Sequence, residues 1–216
     1  MKVKEFAPYL LLMDKGYRDS SNKKNVNLWF NARTDDIQAY YKDGTYKVVV
    51  LGTQAKLIEW VWNVAFRSVE WLDMGRVHGG FARNVNRLLG SESDKDSLIS
   101  LILKHHKNNV PIEILGHSRG GALACLIASK LVYHGVDREG VTIITCGTAR
   151  VGNRLFRDQF RKLFFGNSFA LNGNNDPVTR LPPWGYMNGK VTKIKLGSWF
   201  RPKHVLSHYI KAVNEI

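Results

Sequence analysis

The stretch "ILGHSRGGALA", Ile114 to Ala124, constrains the fold of this chain more than any other. The apolar run "PIEIL" that enters it reads as a buried strand, and "RGGALACLIASKLVYHG" reads as a helix that stops at Gly135. Ser118 then stands on a sharp strand-to-helix turn, flanked by Gly116 and Gly120 where a Cβ would clash. That is the context a G-x-S-x-G nucleophile elbow requires, at the carboxyl end of a sheet strand. Gly121, Ala122, Ala124 and Cys125 let the following helix pack close. The pentapeptide alone is a weak signal. On an elbow it obliges the rest of the chain to supply a base, an acid and an oxyanion hole.

The surrounding chain is built to hold such a turn. "YKVVVLG" (Tyr46–Gly52), "VTIITCG" and "SFALNG" read as further buried strands, alternating with helices in "FARNVNRLL" and Arg150–Phe165. The latter puts Phe156, Phe160, Leu163 and Phe164 inward, and Arg150, Arg154, Arg157 and Arg161 outward. Ser93, with Asp94 and Asp96, caps a helix carrying Leu98, Leu101, Ile102 and His105 on one face. "MNGK" signals an Asn-Gly hairpin into "KVTKIKL", where Lys193 and Lys195 share the solvent face, and a last helix runs through "HVLSHYIKAV". Strand–helix alternation of this kind gives an α/β protein with a largely parallel sheet. With 216 residues and no linker, repeat or low-complexity tract, residues 1–216 read as one domain.

The order of residues narrows the partners of Ser118. A serine hydroxyl needs a base to take its proton and a carboxylate to hold that base, and on this fold the order is Ser, acid, His. Of seven histidines, His78, His105, His106 and His117 precede or adjoin Ser118, and His134 ends its helix, leaving His204 and His208. The two lie four apart on one face of the last helix or its entrance, and a loop end, which can approach both partners, favours His204. The acid belongs on a loop after a strand. "SFALNGNNDPVTRLPP" offers Asp176, kept out of a helix by Pro177, whereas Asp137 and Asp158 lie in or beside surface helices.

Taken together, "VVVLGTQ", "VHGGF", "GHSRGGALA", "CGTARVGN", "NDPVTRLPP" and "HVLSHYI" resemble, in order, the motifs of the class 3 lipase family of α/β-hydrolases. The resemblance runs from about Val48 to Ile210. It implies an α/β-hydrolase fold, a mostly parallel central sheet with helices on both faces. It makes Ser118 the nucleophile and Asp176 the acid. It supports His204 as the base, five residues before Tyr209, although members with a shorter His–Tyr interval keep His208 open. Thr53 looks like the oxyanion residue, and the backbone N–H of Arg119 like the second donor. No metal or organic cofactor is implied. The chain departs from the family where Val50 and Leu51 replace Phe-Arg, where Arg119 replaces Leu, and at Ala149 and Thr179, where Pro is common. The backbone donor at residue 119 survives any side chain; a guanidinium there bears on specificity, toward an anionic acyl or phosphate group, unless it points away or is paired.

"AKLIEWVWNVAF", 55–66, occupies the family's lid position, and Leu57, Trp60, Val61 and Val64 are spaced for one helical face. The implied substrate is a lipid ester, for a lipase, monoacylglycerol lipase or phospholipase A1; a feruloyl- or wall-ester esterase would use the same triad. A net charge of +14 suggests peripheral contact with an anionic membrane surface. Charge also favours a noncatalytic nucleic-acid or anionic-surface binder, but no helix-turn-helix, zinc-finger or RNP-like motif appears, so nucleic acid is the weaker reading. Cys125 and Cys146 lie in small apolar runs and read as buried free thiols. With no signal peptide or spanning segment in view, the expectation is a soluble chain, cytoplasmic or released without a classical signal. Sequence is silent on oligomeric state.

Overall fold

Two strands, β1 (Ile37–Lys42) and β2 (Thr45–Val50), form an antiparallel hairpin in the computed structural model, which describes residues 1–22, 37–52, 67–95, 97–106, 110–183, 190–196 and 204–216. Asp43 and Gly44 close it with φ of 52° and 76°, the left-handed pair that matches strand twist. From β2 the sheet continues in parallel through β5 (Ile112–His117), β6 (Val141–Cys146), β7 (Ser168–Gly173) and β8 (Lys190–Ile194). A separate small hairpin pairs β3 (Ser68–Glu70) with β4 (Arg76–His78). The central strands are apolar on both sides because both faces of the sheet are covered, as parallel sheets require.

The pleat divides the core in two. Val48, Val50, Ile114 and Ile143 point into one cluster; Val49, Leu51, Leu115 and Ile144 point into the other. The first is roofed by α2 (Gly79–Leu89), α3 (Leu98–His106), α4 (Arg119–Tyr133) and α5 (Arg154–Leu163). The second is roofed by α1 (Ala7–Asn22) and α6 (Leu206–Asn214), which pack on one another. Helix α1 lies very close to the sheet: a Cβ at Gly16 would stand 3.0 Å from the Leu51 side chain, and Gln38 Nε2 donates to the Gly16 carbonyl.

Three local expectations give way to tertiary contacts. The helix expected over Arg150–Phe165 begins only at Arg154, capped by Asn153 Oδ1 on the Phe156 N–H. Residues 151–153 instead pair with β4, His78 N–H donating to the Val151 carbonyl and Asn153 N–H to that of Arg76, while the Arg150 N–H donates to the Leu181 carbonyl. The cap of α3 falls at Ser97, whose Oγ accepts from the Ser100 N–H, not at Ser93; Asp96 and the side chain of His105 lie outside the described residues. The hairpin expected at "MNGK" involves 187–189, also outside them, and β8 pairs in parallel with β7.

Candidate active site

Strand β5 ends and α4 begins with a single residue between them. Ser118 occupies that residue at φ 62°, a left-handed conformation unusual for a side chain that is not glycine. The turn is possible only because its neighbours lack side chains. A Cβ at Gly116 would lie 2.4 Å from the Gly120 carbonyl oxygen, and one at Gly120 only 2.1 Å from that of Val50. The Ser118 N–H donates to the Cys146 carbonyl at the end of β6, so the elbow is tied to the neighbouring strand.

The other two side chains arrive from distant segments. Asp176 follows β7 by a short turn and caps a 3-10 turn (Pro177–Arg180) by accepting from the Val178 N–H at 2.9 Å. His204 stands just before α6, its side chain 22% exposed against a fully buried Asp176 carboxylate. His204 Nδ1 lies 2.8 Å from Asp176 Oδ2 and 3.0 Å from Oδ1, and His204 Nε2 lies 2.7 Å from Ser118 Oγ. The carboxylate only accepts, so Nδ1 carries the proton and Nε2 is left to accept from the serine hydroxyl.

Asp176 is itself held. Tyr209 O–H donates to its Oδ2 at 2.6 Å, while the Tyr209 oxygen accepts from the Gly173 N–H at 2.9 Å. Burial, then the neighbouring Cys146 and Asp176, push the Tyr209 phenol well above its ordinary range, so it stays a donor. Gly147, at φ 56°, makes room for this pair: a Cβ there would stand 3.0 Å from Asp176 Oδ2. Cys125 and Cys146 are free and buried, as their surroundings in sequence suggest.

Of the remaining residues singled out in sequence, Thr53 and the lid segment 55–66, with Leu57, Trp60, Val61 and Val64, lie outside the described residues. Gly52, immediately before Thr53, is described, and a Cβ on it would lie 3.1 Å from Ser118 Cβ. Arg119 is the first residue of α4, directly after Ser118, and its side chain is buried. His208 lies one turn along α6 from His204. Its N–H donates to the Val205 carbonyl and its buried Nδ1 has no hydrogen-bond partner among the described residues, so it is His204 that meets Ser118 and Asp176.

Two further side chains reach this site that sequence reasoning did not single out. His117 is stacked on His204, ring centroids 5.1 Å apart, and its Nε2 lies 3.1 Å from the His204 carbonyl. Tyr17, from α1, places its hydroxyl 3.1 Å from His117 Nδ1 and accepts from the Gly52 N–H at 2.8 Å. A cavity of about 350 Å³ opens beside them, lined by Asp14, Tyr17, His117, His204, Val205 and Leu206, among others. Among the described residues no group of three or more His, Cys, Asp or Glu side chains could hold a metal ion, and no helix is long and apolar enough to cross a membrane.

A serine on a strained elbow, joined to an imidazole and a buried carboxylate on a parallel sheet, defines the serine-triad α/β-hydrolase class. Residues 47–186 match the family of class 3 lipases, and the chain belongs to that family. It is 28% identical over 171 residues to Phospholipase A1-II 4 of Oryza sativa subsp. japonica, covering 64% of this chain and 43% of that protein. It is 36% identical over 87 residues to Secreted mono- and diacylglycerol lipase 2 of Gibberella zeae, 35% of this chain and 21% of that protein. The chain thus spans less than half the length of these curated relatives. Lipase II from Rhizopus niveus superposes with a TM-score of 0.74 at 19% identity, covering 89% of this chain and 80% of that one, a likeness of fold.

Proposed function

We propose that this chain is a serine carboxylic-ester hydrolase acting on lipid esters, as a lipase, monoacylglycerol lipase or phospholipase A1. The observation that carries the reading is the unbroken path from Ser118 Oγ through both nitrogens of His204 to Asp176, with Ser118 held on its elbow. Ser118 Oγ attacks the ester carbonyl as its proton passes to His204 Nε2. Asp176 keeps the ring in the tautomer that can accept and stabilises the imidazolium that forms. The oxyanion is met by the Arg119 backbone N–H and by Thr53, donors of a kind commonly worth about 3 kcal/mol each. The imidazolium then returns the proton to the leaving alcohol, and water activated by His204 releases the acyl group.

The names of the relatives support a glycerolipid ester over other esters: one is named a phospholipase A1, another a mono- and diacylglycerol lipase. In this reading residues 1–216 act as one hydrolase domain with 55–66 as its lid. The charge of +14 draws the enzyme to anionic lipid surfaces.

The test is a panel of soluble esters, acylglycerols and anionic phospholipid vesicles at low and high salt, with Ser118→Ala, His204→Ala and His208→Ala in parallel. Ser118→Ala and His204→Ala are each expected to lower kcat about 10⁶-fold, and His208→Ala less than about threefold. A fluorophosphonate should label Ser118. Hydrolysis of vesicles should fall with salt while that of a soluble ester does not. A wild-type chain that hydrolyses no ester and takes no label overturns the reading, and loss confined to His208→Ala moves the base.

A further inference from the structure

We propose that His117 and Tyr17 are positioning residues, a one-way hydrogen-bond relay that fixes His204 and the root of the oxyanion loop to one frame. The proposal rests on the catalytic reading of Ser118, His204 and Asp176 given above.

The direction of the relay follows from its ends. The Gly52 N–H can only donate, so the Tyr17 oxygen accepts there and has its single proton left to give. The His204 carbonyl can only accept, so His117 Nε2 must carry a proton. A neutral His117 then has a bare Nδ1, which is where the Tyr17 hydroxyl points at 3.1 Å. The three hydrogen bonds then run in one sense, Gly52 to Tyr17 to His117 to His204.

Each end of the relay is a part of the site that must not drift. His117 holds the backbone of the residue whose ring must reach Ser118, and its own ring lies against that ring at an interplanar angle of 21°. Tyr17 holds the Leu51–Gly52 peptide, one residue short of Thr53, where a Cβ on Gly52 would lie 2.8 Å from the Tyr17 hydroxyl oxygen and 2.9 Å from the His117 carbonyl oxygen. Because His117 directly precedes Ser118, nucleophile, base and oxyanion loop are referred to the same strand end. Helix α1, remote in sequence from all three, becomes part of the active-site frame.

The relay works only with His117 neutral, since a second ring proton would meet the Tyr17 hydroxyl proton. The surroundings keep it so. Among the described residues, the titratable rings against it are Tyr17 from α1, Tyr209 from α6 and His204, and Asp14 lines the same cavity. Burial, with His204 adding to it, pushes the imidazole down to about 3. His117 therefore remains uncharged while His204 takes and returns its proton, and no second cation opposes the imidazolium.

The test separates the two hydrogen bonds of one ring. His117→Gln keeps a donor near the Nε2 position and loses the acceptor; His117→Asn keeps an acceptor near Nδ1 and loses the donor; Tyr17→Phe removes the link to Gly52. On a soluble ester His117→Asn and Tyr17→Phe are expected to lower kcat about tenfold or more with KM within about twofold, and His117→Gln, which keeps the bond to the His204 carbonyl and cuts only the Tyr17 link, to lose less, about threefold. In the proton NMR spectrum the His204 Nδ1–H shared with Asp176 should exchange with water about tenfold faster in His117→Asn than in wild type. Equal kcat losses in His117→Asn and His117→Gln that track lost thermal stability would overturn the proposal, as would a Tyr17→Phe variant with unchanged kcat. Ser118→Ala serves as the control for the catalytic reading: if wild type is no more active than Ser118→Ala, that reading fails, and the Nδ1–H exchange rate alone decides the relay.

Discussion

The sheet face under α2–α5 buries Phe81, Phe156, Phe160 and Leu123 at 1% exposure or less, and its polar groups close on one another away from the triad, Trp71 Nε1 on Ser129 Oγ and Ser129 on the Leu126 carbonyl. The face under α1 and α6 also buries Phe6, Leu10 and Met13, yet it carries the polar links that reach the triad and its neighbours, Tyr209 to Asp176 and Tyr17 to His117. Ser118 stands at the seam, its helix belonging to the first face and its base to the segment that opens the second. Apolar packing is nondirectional, so a lost methylene costs stability in proportion to the hole it leaves. A buried hydrogen bond has one geometry, so a lost atom there moves the groups that depended on it. One face chiefly sets how stable the molecule is, and the other how well the site is aligned.

The largest expected effect tests the apolar face. Phe160→Ala removes a fully buried ring between Phe156 and Phe164, and urea unfolding should show a loss of about 3–5 kcal/mol. Under conditions where it remains folded its kcat should match wild type. A fall in kcat larger than that of any polar-face variant would break the comparison.

The second prediction concerns pH. His117 is pushed down to about 3 in the folded chain, whereas in the unfolded chain it titrates at its ordinary 6.5. As pH falls below 6.5 the unfolded chain binds the proton first, so this contribution is complete above 6.5 and is lost progressively toward 3, by up to about 4 kcal/mol. Urea unfolding from pH 7 to pH 4 should therefore show a shallower decline for His117→Gln than for wild type. Parallel declines would show that the ring does not resist protonation.

The smallest effect sharpens the comparison most. Tyr209→Phe deletes one oxygen, leaving Asp176 without its phenol donor and the Gly173 N–H without its acceptor. The stability loss should be about 1–2 kcal/mol, less than for Phe160→Ala, while kcat falls about tenfold because Asp176 no longer holds His204 in register. Unchanged kcat with the same loss of stability would make Tyr209 an ordinary core residue.

Much of this was legible in the sequence because it is local. The elbow, the four apolar strands before β8 and the α4 helix rest on contacts a few residues apart, and the glycines at 116 and 120 are demanded by the turn itself. The Asp43–Gly44 turn also carried a plain hairpin signal, which would have identified β1 as the partner of β2. Other features left little trace. The start of the expected helix, Arg150–Asn153, is instead taken up by bonds to Leu181 and to β4. Tyr209 served as a spacing mark and His117 as the variable position of a motif, and nothing near Tyr17 in sequence points to an active site.

The chain's own order of residues determined which hydroxyl, carboxylate and imidazole were available, since chemistry and turn geometry are properties of short segments. Only the tertiary structure decided that His204 rather than His208 meets the serine, and that Tyr17 and His117, 100 positions apart, share a hydrogen bond. Those outcomes depend on how α1 and α6 dock on the sheet, a sum of many weak contacts between remote segments, and a periodic pattern of apolar residues specifies that a helix docks without specifying which of its polar atoms will meet another.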